Sequence, residues 1–306
     1  MNWKIYILIL LFLPLKLSAQ IVPVTDQYVL NPLLLNPAYA GARNSLNFAS
    51  FYRMQWAGIT GSPETMTLAI DAPAFNNRVG LGFMLINDKI GVTKETQFVT
   101  DYAFKIFLKG GSILSLGLGG TVVSTNTAWS QLIAVDPGDE SYLIDSKKYI
   151  VPNFSYGMYY TKDKFFAGFS VPKFLNYKFN FEKNKYSLKV DPSLYTYLFT
   201  TGYAFDLNKK IHFVPSTLIR YPTGMKVNYD INAYFNFNDR LWLGTSYRNN
   251  RSISGLIQFH IDSQLKLAYT YDFSLGELSK YGGGSHGIMI RYTFNYKVDA
   301  VNPLIF

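Results

Sequence analysis

Along most of the chain apolar and polar residues alternate one by one, the period of two that sends successive side chains to opposite faces of a β-strand. In the segment 227–237, Val227, Tyr229, Ile231, Ala233, Phe235 and Phe237 fall on one face, and Asn228, Asp230, Asn232, Tyr234 and Asn236 on the other. From 265 to 273, Leu265, Leu267, Tyr269, Tyr271 and Phe273 oppose Lys266, Ala268, Thr270 and Asp272. Near the end, Ile288, Ile290, Tyr292, Phe294 and Tyr296 alternate with Met289, Arg291, Thr293 and Asn295. The first face of each suits lipid and the second does not, which is the dyad pattern of a membrane-spanning barrel.

Such segments recur near 45–54, 64–71, 79–88, 94–107, 112–124, 153–161, 164–172, 194–207, 210–219, 227–236, 240–248, 252–260, 263–272 and 285–296. The predicted fold class is therefore all-β: a transmembrane antiparallel β-barrel of about fourteen strands, an even number that lets the first pair with the last. The links alternate as a barrel requires. Short ones fall at Lys109-Gly110-Gly111, Lys162-Asp163, Asn208-Lys209, Phe237-Asn238-Asp239 and Ile261-Asp262, and long ones at 125–152, 173–193 and 273–284 on the opposite parity. Short turns belong to the periplasm and long loops to the exterior, with the N-terminus on the periplasmic side. Only the link near Asn249-Asn250 is short for an outer loop.

The stretch Gln20 to Gly41 breaks the pattern. It is apolar but carries Pro23, Pro32 and Pro37, which remove ladder donors and oppose a regular strand. A lumen of fourteen strands is wider than side chains alone can fill. This segment is expected to fold inward as a plug or periplasmic-mouth lining, over 20–44, ahead of a barrel over 45–296 and a C-terminal tail over 297–306. Gly117, Gly119 and Gly120, with Gly80 and Gly82, are read as places where plug backbone approaches the wall; no helix follows them as a phosphate loop would need.

Composition agrees. There are 24 Tyr and 24 Phe, and only 16% of residues are charged, against roughly 25% in soluble domains. A barrel places such aromatics in its outer band and interfacial girdles. The chain opens with Lys4, an apolar run from Ile5 to Leu15 and then Ser18-Ala19 before Gln20, which reads as a signal peptide over 1–19. That run is shorter than the roughly 20 residues of a membrane helix. There is no Cys, which excludes a lipoprotein anchor and disulfides. Without Lys4 and Lys16 the formal charge of +9 becomes +7, and its Lys and Arg residues are scattered without the basic stripe of a nucleic-acid binder.

Catalysis finds no constellation. Ser285 and His286 are adjacent on a strand and so point to opposite faces. His212, His260 and His286 lack metal-ligand spacing and read as strand-edge residues. Asp136-Pro137-Gly138-Asp139-Glu140, with Asp145, gathers oxygen ligands in the longest loop without an EF-hand pattern, and reads as a solvated loop rather than a calcium site. No enzyme activity and no cofactor is expected.

The N-terminal part reads Gln27-Tyr28, then Asn31-Pro32-Leu33-Leu34-Leu35-Asn36-Pro37-Ala38-Tyr39-Ala40-Gly41, followed by Arg53-Met54-Gln55-Trp56-Ala57-Gly58-Ile59 and Gly61-Ser62-Pro63. Further on come Val79-Gly80-Leu81-Gly82, Asp88-Lys89-Ile90-Gly91, Gly168-Phe169-Ser170-Val171-Pro172, Leu241-Trp242-Leu243-Gly244, Tyr247-Arg248, Tyr269-Thr270-Tyr271-Asp272 and Gly284-Ser285-His286. Together these resemble the PorP/SprF family. One departure is Gly287, where the family commonly has an acidic residue.

The resemblance implies an outer-membrane component of the type IX secretion and gliding machinery of Bacteroidota, with a barrel related in shape to the long-chain fatty-acid transporters. Some family members receive a large co-encoded adhesin through its C-terminal secretion signal and hold it at the surface; others contact periplasmic, peptidoglycan-associated subunits. The residues singled out for plug and lumen structure are Asn31, Pro32, Asn36, Pro37, Tyr39, Gly41, Arg53, Gln55 and Trp56. The last three are expected to form a hydrogen-bond cluster locking wall to plug. Loops 125–152 and 173–193 supply Tyr, Phe and Lys either for a partner surface or for the membrane girdle. The alternative function is a diffusion channel for hydrophobic or small substrates, gated by residues 31–41.

Overall fold

The computed structural model describes residues 27–43, 45–131, 145–146, 148–180, 185–249, 252–276 and 282–294. The expected signal peptide over 1–19, the first part of the expected plug (20–26), the acidic segment 136–140 and the tail 297–306 lie outside them. The strands are β1 (Asn47–Met54), β2 (Glu64–Ala74), β3 (Val79–Ile90), β4 (Thr93–Phe107), β5 (Ile113–Thr127), β6 (Tyr149–Lys162), β7 (Phe165–Val171), β8 (Leu175–Asn180), β9 (Lys185–Val190), β10 (Thr196–Tyr203), β11 (Phe205–Asn208), β12 (Ile211–Pro222), β13 (Asn228–Phe237), β14 (Leu241–Arg248), β15 (Ser252–His260), β16 (Leu265–Ser274) and β17 (Ser285–Thr293).

Each wall strand pairs antiparallel with its neighbours in the chain, and β1 pairs with β17, so the sheet closes. β10 and β11 both pair with β12 and form one stave, which gives a barrel of 14 strands. β8 and β9 stand outside it as a separate hairpin.

Alternation decides which way each residue faces. Along β13, Asp230, Asn232, Tyr234 and Asn236 are buried, while Tyr229 and Ile231 are exposed. β16 and β17 repeat the rule, with Lys266, Ala268, Thr270 and Asp272, then Met289 and Arg291, turned inward. The outer surface carries the apolar side chains that lipid accepts, among them Leu118, Phe154, Ile231 and Ile288. Phenylalanines mark its short-turn rim, where Phe213 and Phe235 stack at 4.7 Å. Tyrosines mark the long-loop rim, where Tyr197 and Tyr221 stack at 6.3 Å. Two aromatic belts of this kind are what membrane interfaces select.

Two links and one strand differ from the sequence reading. The segment 173–193, expected as an irregular outer loop, contains the β8–β9 hairpin, clasped to the wall by Asn153: its Oδ1 accepts from Phe174 N and Leu175 N, each at 3.0 Å. The β3–β4 link tightens to Gly91 and Val92 because both strands run further than their alternation suggests; Gly91 supplies the left-handed backbone, at φ 57°. The strand expected at 194–207 starts with a 3₁₀ turn at Pro192–Leu194 and breaks at Ala204, next to a bulge at Asp206/Asn208.

Inside the wall lies a core. Tyr28, Val29, Leu30, Leu33, Leu35, Ala38, Tyr39 and Ala40 are buried together with inward wall residues such as Phe51, Met84, Leu198, Leu218, Trp242 and Met289. The interior is thus mixed: this apolar cluster lies among buried polar and charged wall residues such as Asp71, Lys105, Asp230, Gln258 and Arg291.

Candidate functional site

Residues 27–43 run inside the barrel as a helical turn at Gln27–Leu30 and 3₁₀ turns at Pro32–Leu34 and Pro37–Tyr39. The repeated Asn-Pro pair explains the last two. Proline sits at the first helical position, where it has no donor to lose and its φ is already set. Asn36 caps the second turn by accepting from Ala38 N at 2.9 Å, and its Nδ2 donates to Met158 O on β6 (2.9 Å) and Phe169 O on β7 (3.3 Å). Asn31 is fully buried; its Nδ2 has no partner among the described residues.

Glycines clear the wall for this segment. A Cβ on Gly80 would strike Ala40 O, one on Gly117 the backbone of Ala38, and one on Gly157 the Asn36 side chain. Gly82 touches Leu33 and Ala40, whereas Gly119 faces Asp101 and Ser155, and Gly120 meets only Thr100. Gly119 and Gly120, expected as wall sites for the segment, therefore do not touch it. Gly41 has φ 63°, and a Cβ there would lie 2.7 Å from Ala72 O, so no other residue fits.

Cationic side chains bind the segment at the short-turn end. Lys105 Nζ donates to Gly41 O at 2.6 Å. Leu30 O accepts from Arg43 Nη2 at 3.1 Å and also from Arg291 on β17. Arg43 lies 5.1 Å over the Tyr39 ring and 3.5 Å from Asp71, and Tyr39 meets Tyr159 edge-on at 5.3 Å. Farther round the wall, Asn232 Nδ2 donates to Tyr28 Oη at 3.0 Å. A charge-assisted bond to a carbonyl is about twice as strong as a neutral one.

Arg53, Gln55 and Trp56 stand at the long-loop end. Arg53 Nη1 donates to Gln55 Oε1 at 2.9 Å, and its Nη2 pairs with Asp272 on β16. Trp56 N donates to Ser285 Oγ at 3.3 Å. These bonds fasten wall to wall and wall to loop, rather than wall to the N-terminal segment. Sequence reasoning passed over Lys105, Gly157, Arg43, Asp71 and Asp101. A charged residue at an inward slot of an alternating strand was the signal that could have found Lys105 and Asp101.

Above the segment, towards the long loops, opens a cavity of about 400 Å³. Its floor is Leu33, Leu35 and Pro37, and its sides include Trp56, Asp88 and Asp101. Outside the wall, Lys189 Nζ (2.8 Å) and Ser193 hold the Asp191 carboxylate by hydrogen bonds, and its pKa drops to about 2. Asp145 accepts from Ser130 N at 2.9 Å, which lowers its pKa. Ser285 is buried, while His286 Nδ1 lies 2.7 Å from Tyr269 Oη on the outer face.

A closed, aromatic-belted barrel with an occupied lumen is an outer-membrane protein. Its sequence matches the family described as type IX secretion system membrane protein PorP/SprF over residues 17–292. The chain belongs to that family, and it is an outer-membrane barrel of type IX secretion. No curated relative matches it in sequence. Among solved structures it is similar to the toluene transporter TbuX of Ralstonia pickettii, with a TM-score of 0.53 at 8% identity over 89% of this chain and 94% of that one. It also overlaps the CymD monoaromatic hydrocarbon channel (TM-score 0.48, 11% identity, 90% of this chain and 95% of that one). The outer membrane protein Omp33 of Acinetobacter baumannii gives TM-score 0.48 and 8% identity, over 84% of this chain and 100% of that one. At 8% identity the likeness to TbuX is one of fold alone.

Proposed function

We propose that this barrel is a non-enzymatic docking component of type IX secretion, plugged by residues 27–43 and engaging a large secreted adhesin, through its C-terminal signal, at the long-loop end. In this reading the short-turn end and the N-terminus face the periplasm, where peptidoglycan-associated subunits of the machinery are the contacts. The observation that carries it is the seating of residues 36–41 on Gly80, Gly117 and Gly157. A segment packed onto side-chain-free wall favours a barrel that binds over one that conducts. The outward cavity and the β8–β9 hairpin supply concave and convex surfaces for a partner. The test is affinity purification of the tagged protein from its own outer membrane, followed by mass spectrometry. Recovery of an adhesin or machinery subunits is expected; recovery of the barrel alone, in mild detergent, overturns the reading.

The cavity of about 400 Å³ favours a second reading, a diffusion channel, in keeping with the transport named for TbuX. That reading requires a gate, so deletion of residues 20–41 would have to raise conductance in planar bilayers. Unchanged conductance removes it.

A further inference from the structure

Four aspartates are buried among the described residues: Asp71, Asp101, Asp230 and Asp272. Three have an arginine. Asp71 lies beside Arg43, Asp230 beside Arg220 and Arg248, and Asp272 beside Arg53. Asp101 is only 5% exposed, yet forms no ion pair or hydrogen bond among the described residues, and its Oδ2 is buried without a partner. A carboxylate in that position is costly until it meets a cation or a donor.

The strands around Asp101 keep its surroundings open. In register it faces Gly82 on β3 and Gly119 on β5, so neither flanking strand presents a side chain. A Cβ on Gly119 would come within 2.5 Å of Asp101 Oδ1. On the same inward face of β4, Ala103 is fully buried below Asp101, and below that Lys105 is committed to Gly41 O. On the other side lie Val99 and Gln97, which with Asp101 line the 400 Å³ cavity. Asp88, in the same cavity, already accepts from Thr65 Oγ1 at 2.7 Å, and Lys173, which also lines it, forms no ion pair among the described residues.

We infer that this cavity is a subsite for one organic cation on an aliphatic stem, a lysine-type side chain of the docked polypeptide, with Asp101 as its counter-ion. The inference rests on the docking reading above and names the chemistry that the cavity selects. Leu33, Leu35, Met84 and Val99 form an apolar sleeve for the methylene stem, the arrangement in which long cationic side chains bury best. An ammonium has three donors. Asp101 takes one, and the hydroxyls of Ser155 and Thr121, which line the same cavity, are acceptors for the others. A volume of about 400 Å³ lies within the roughly 300–1,000 Å³ of ligand sites.

The test uses the purified full-length barrel in detergent and calorimetric titration with N-acetyl-lysine methylamide, its uncharged isostere N-acetyl-norleucine methylamide, and n-butylammonium. The lysine amide is expected to bind at least tenfold tighter than the norleucine amide. Asp101→Asn abolishes that preference; Asp163→Asn, in the exposed short turn after β6, keeps it, and heat-modifiable migration on gels shows each variant folded. Absence of preference, or preference that survives Asp101→Asn, overturns the subsite. Butylammonium binding as tight as the lysine amide overturns the peptide assignment in favour of free amines. Because the titration needs no secretion partner, its failure leaves the docking reading intact, whereas failure of co-purification with cation binding preserved sinks docking alone.

Discussion

Lys105 stands on β4 and reaches Gly41 O at 2.6 Å, while the same Nζ donates to Asn77 Oδ1 at 2.5 Å. One ammonium thereby joins the wall, the β2–β3 turn and the residue at which the internal segment turns towards β1. Replacing it with Met leaves a buried carbonyl without its donor. The expected loss is about 2 kcal/mol, the range for hydrogen bonds to charged groups. Urea unfolding in detergent micelles measures it, and an unchanged midpoint would show that the bond contributes nothing.

Gly117→Val should expel the internal segment while sparing the wall, because the new side chain meets the backbone of Ala38 and not a flexible side-chain tip. The chain has no Cys, so one cysteine placed at Ala38 reports access cleanly. Maleimide labelling is expected to be slow in the parent and at least tenfold faster with Gly117→Val. Equal rates would mean that the segment does not depend on that contact.

The wall was legible because its physics is local. Lipid on one side and a filled lumen on the other force a period of two, and Tyr229, Ile231, Asp230 and Asn232 each fell on the face their chemistry dictates. The even strand number and the closure of β1 on β17 followed from the same pattern. What stayed hidden depends on neighbours distant in sequence. Nothing near Gly157 announces that Asn36 occupies the space above it, and nothing near Arg53 announces Asp272. The β8–β9 hairpin alternates as the wall does, Leu175, Tyr177 and Phe179 against Asn176, Lys178 and Asn180, and was missed because the alternation of short and long links assigned the whole of 173–193 to one outer loop.

Asp230 is fully buried and faces two guanidinium groups on flanking strands. Arg220 Nη1 donates to it at 2.9 Å and Arg248 Nε at 3.0 Å. Asp230→Ala strands two cations inside the wall, and the expected cost is about 3–5 kcal/mol, the range for breaking a buried pair. The triple variant that also replaces Arg220 and Arg248 with Met should recover most of it. Thermal unfolding followed by gel mobility reads both, and a triple variant no better than the single one would contradict the assignment.

Asp191 gives a pH dependence outside the membrane. Hydrogen bonds from Lys189 and Ser193 lower its pKa to about 2, below the roughly 3.9 of a free aspartate. A depressed folded-state pKa stabilises the turn above the unfolded value, and this stability fades as pH falls from about 4 through about 2. Carboxyl-carbon NMR should find Asp191 titrating near the lower limit, and Lys189→Ala should move it upward. A titration near 4 in the parent would contradict the hydrogen-bonded turn.

Arg291 belongs to β17, the strand that completes the wall against β1, and its guanidinium also holds Leu30 O inside. Closure of the wall and filling of the lumen are therefore coupled through one side chain. With the internal segment in place, zipping the seam also completes one of its fastenings, since the strand that zips it carries Arg291. A barrel that closed empty would bury the charge of Arg291 without that carbonyl, so final closure doubles as an inspection of the contents.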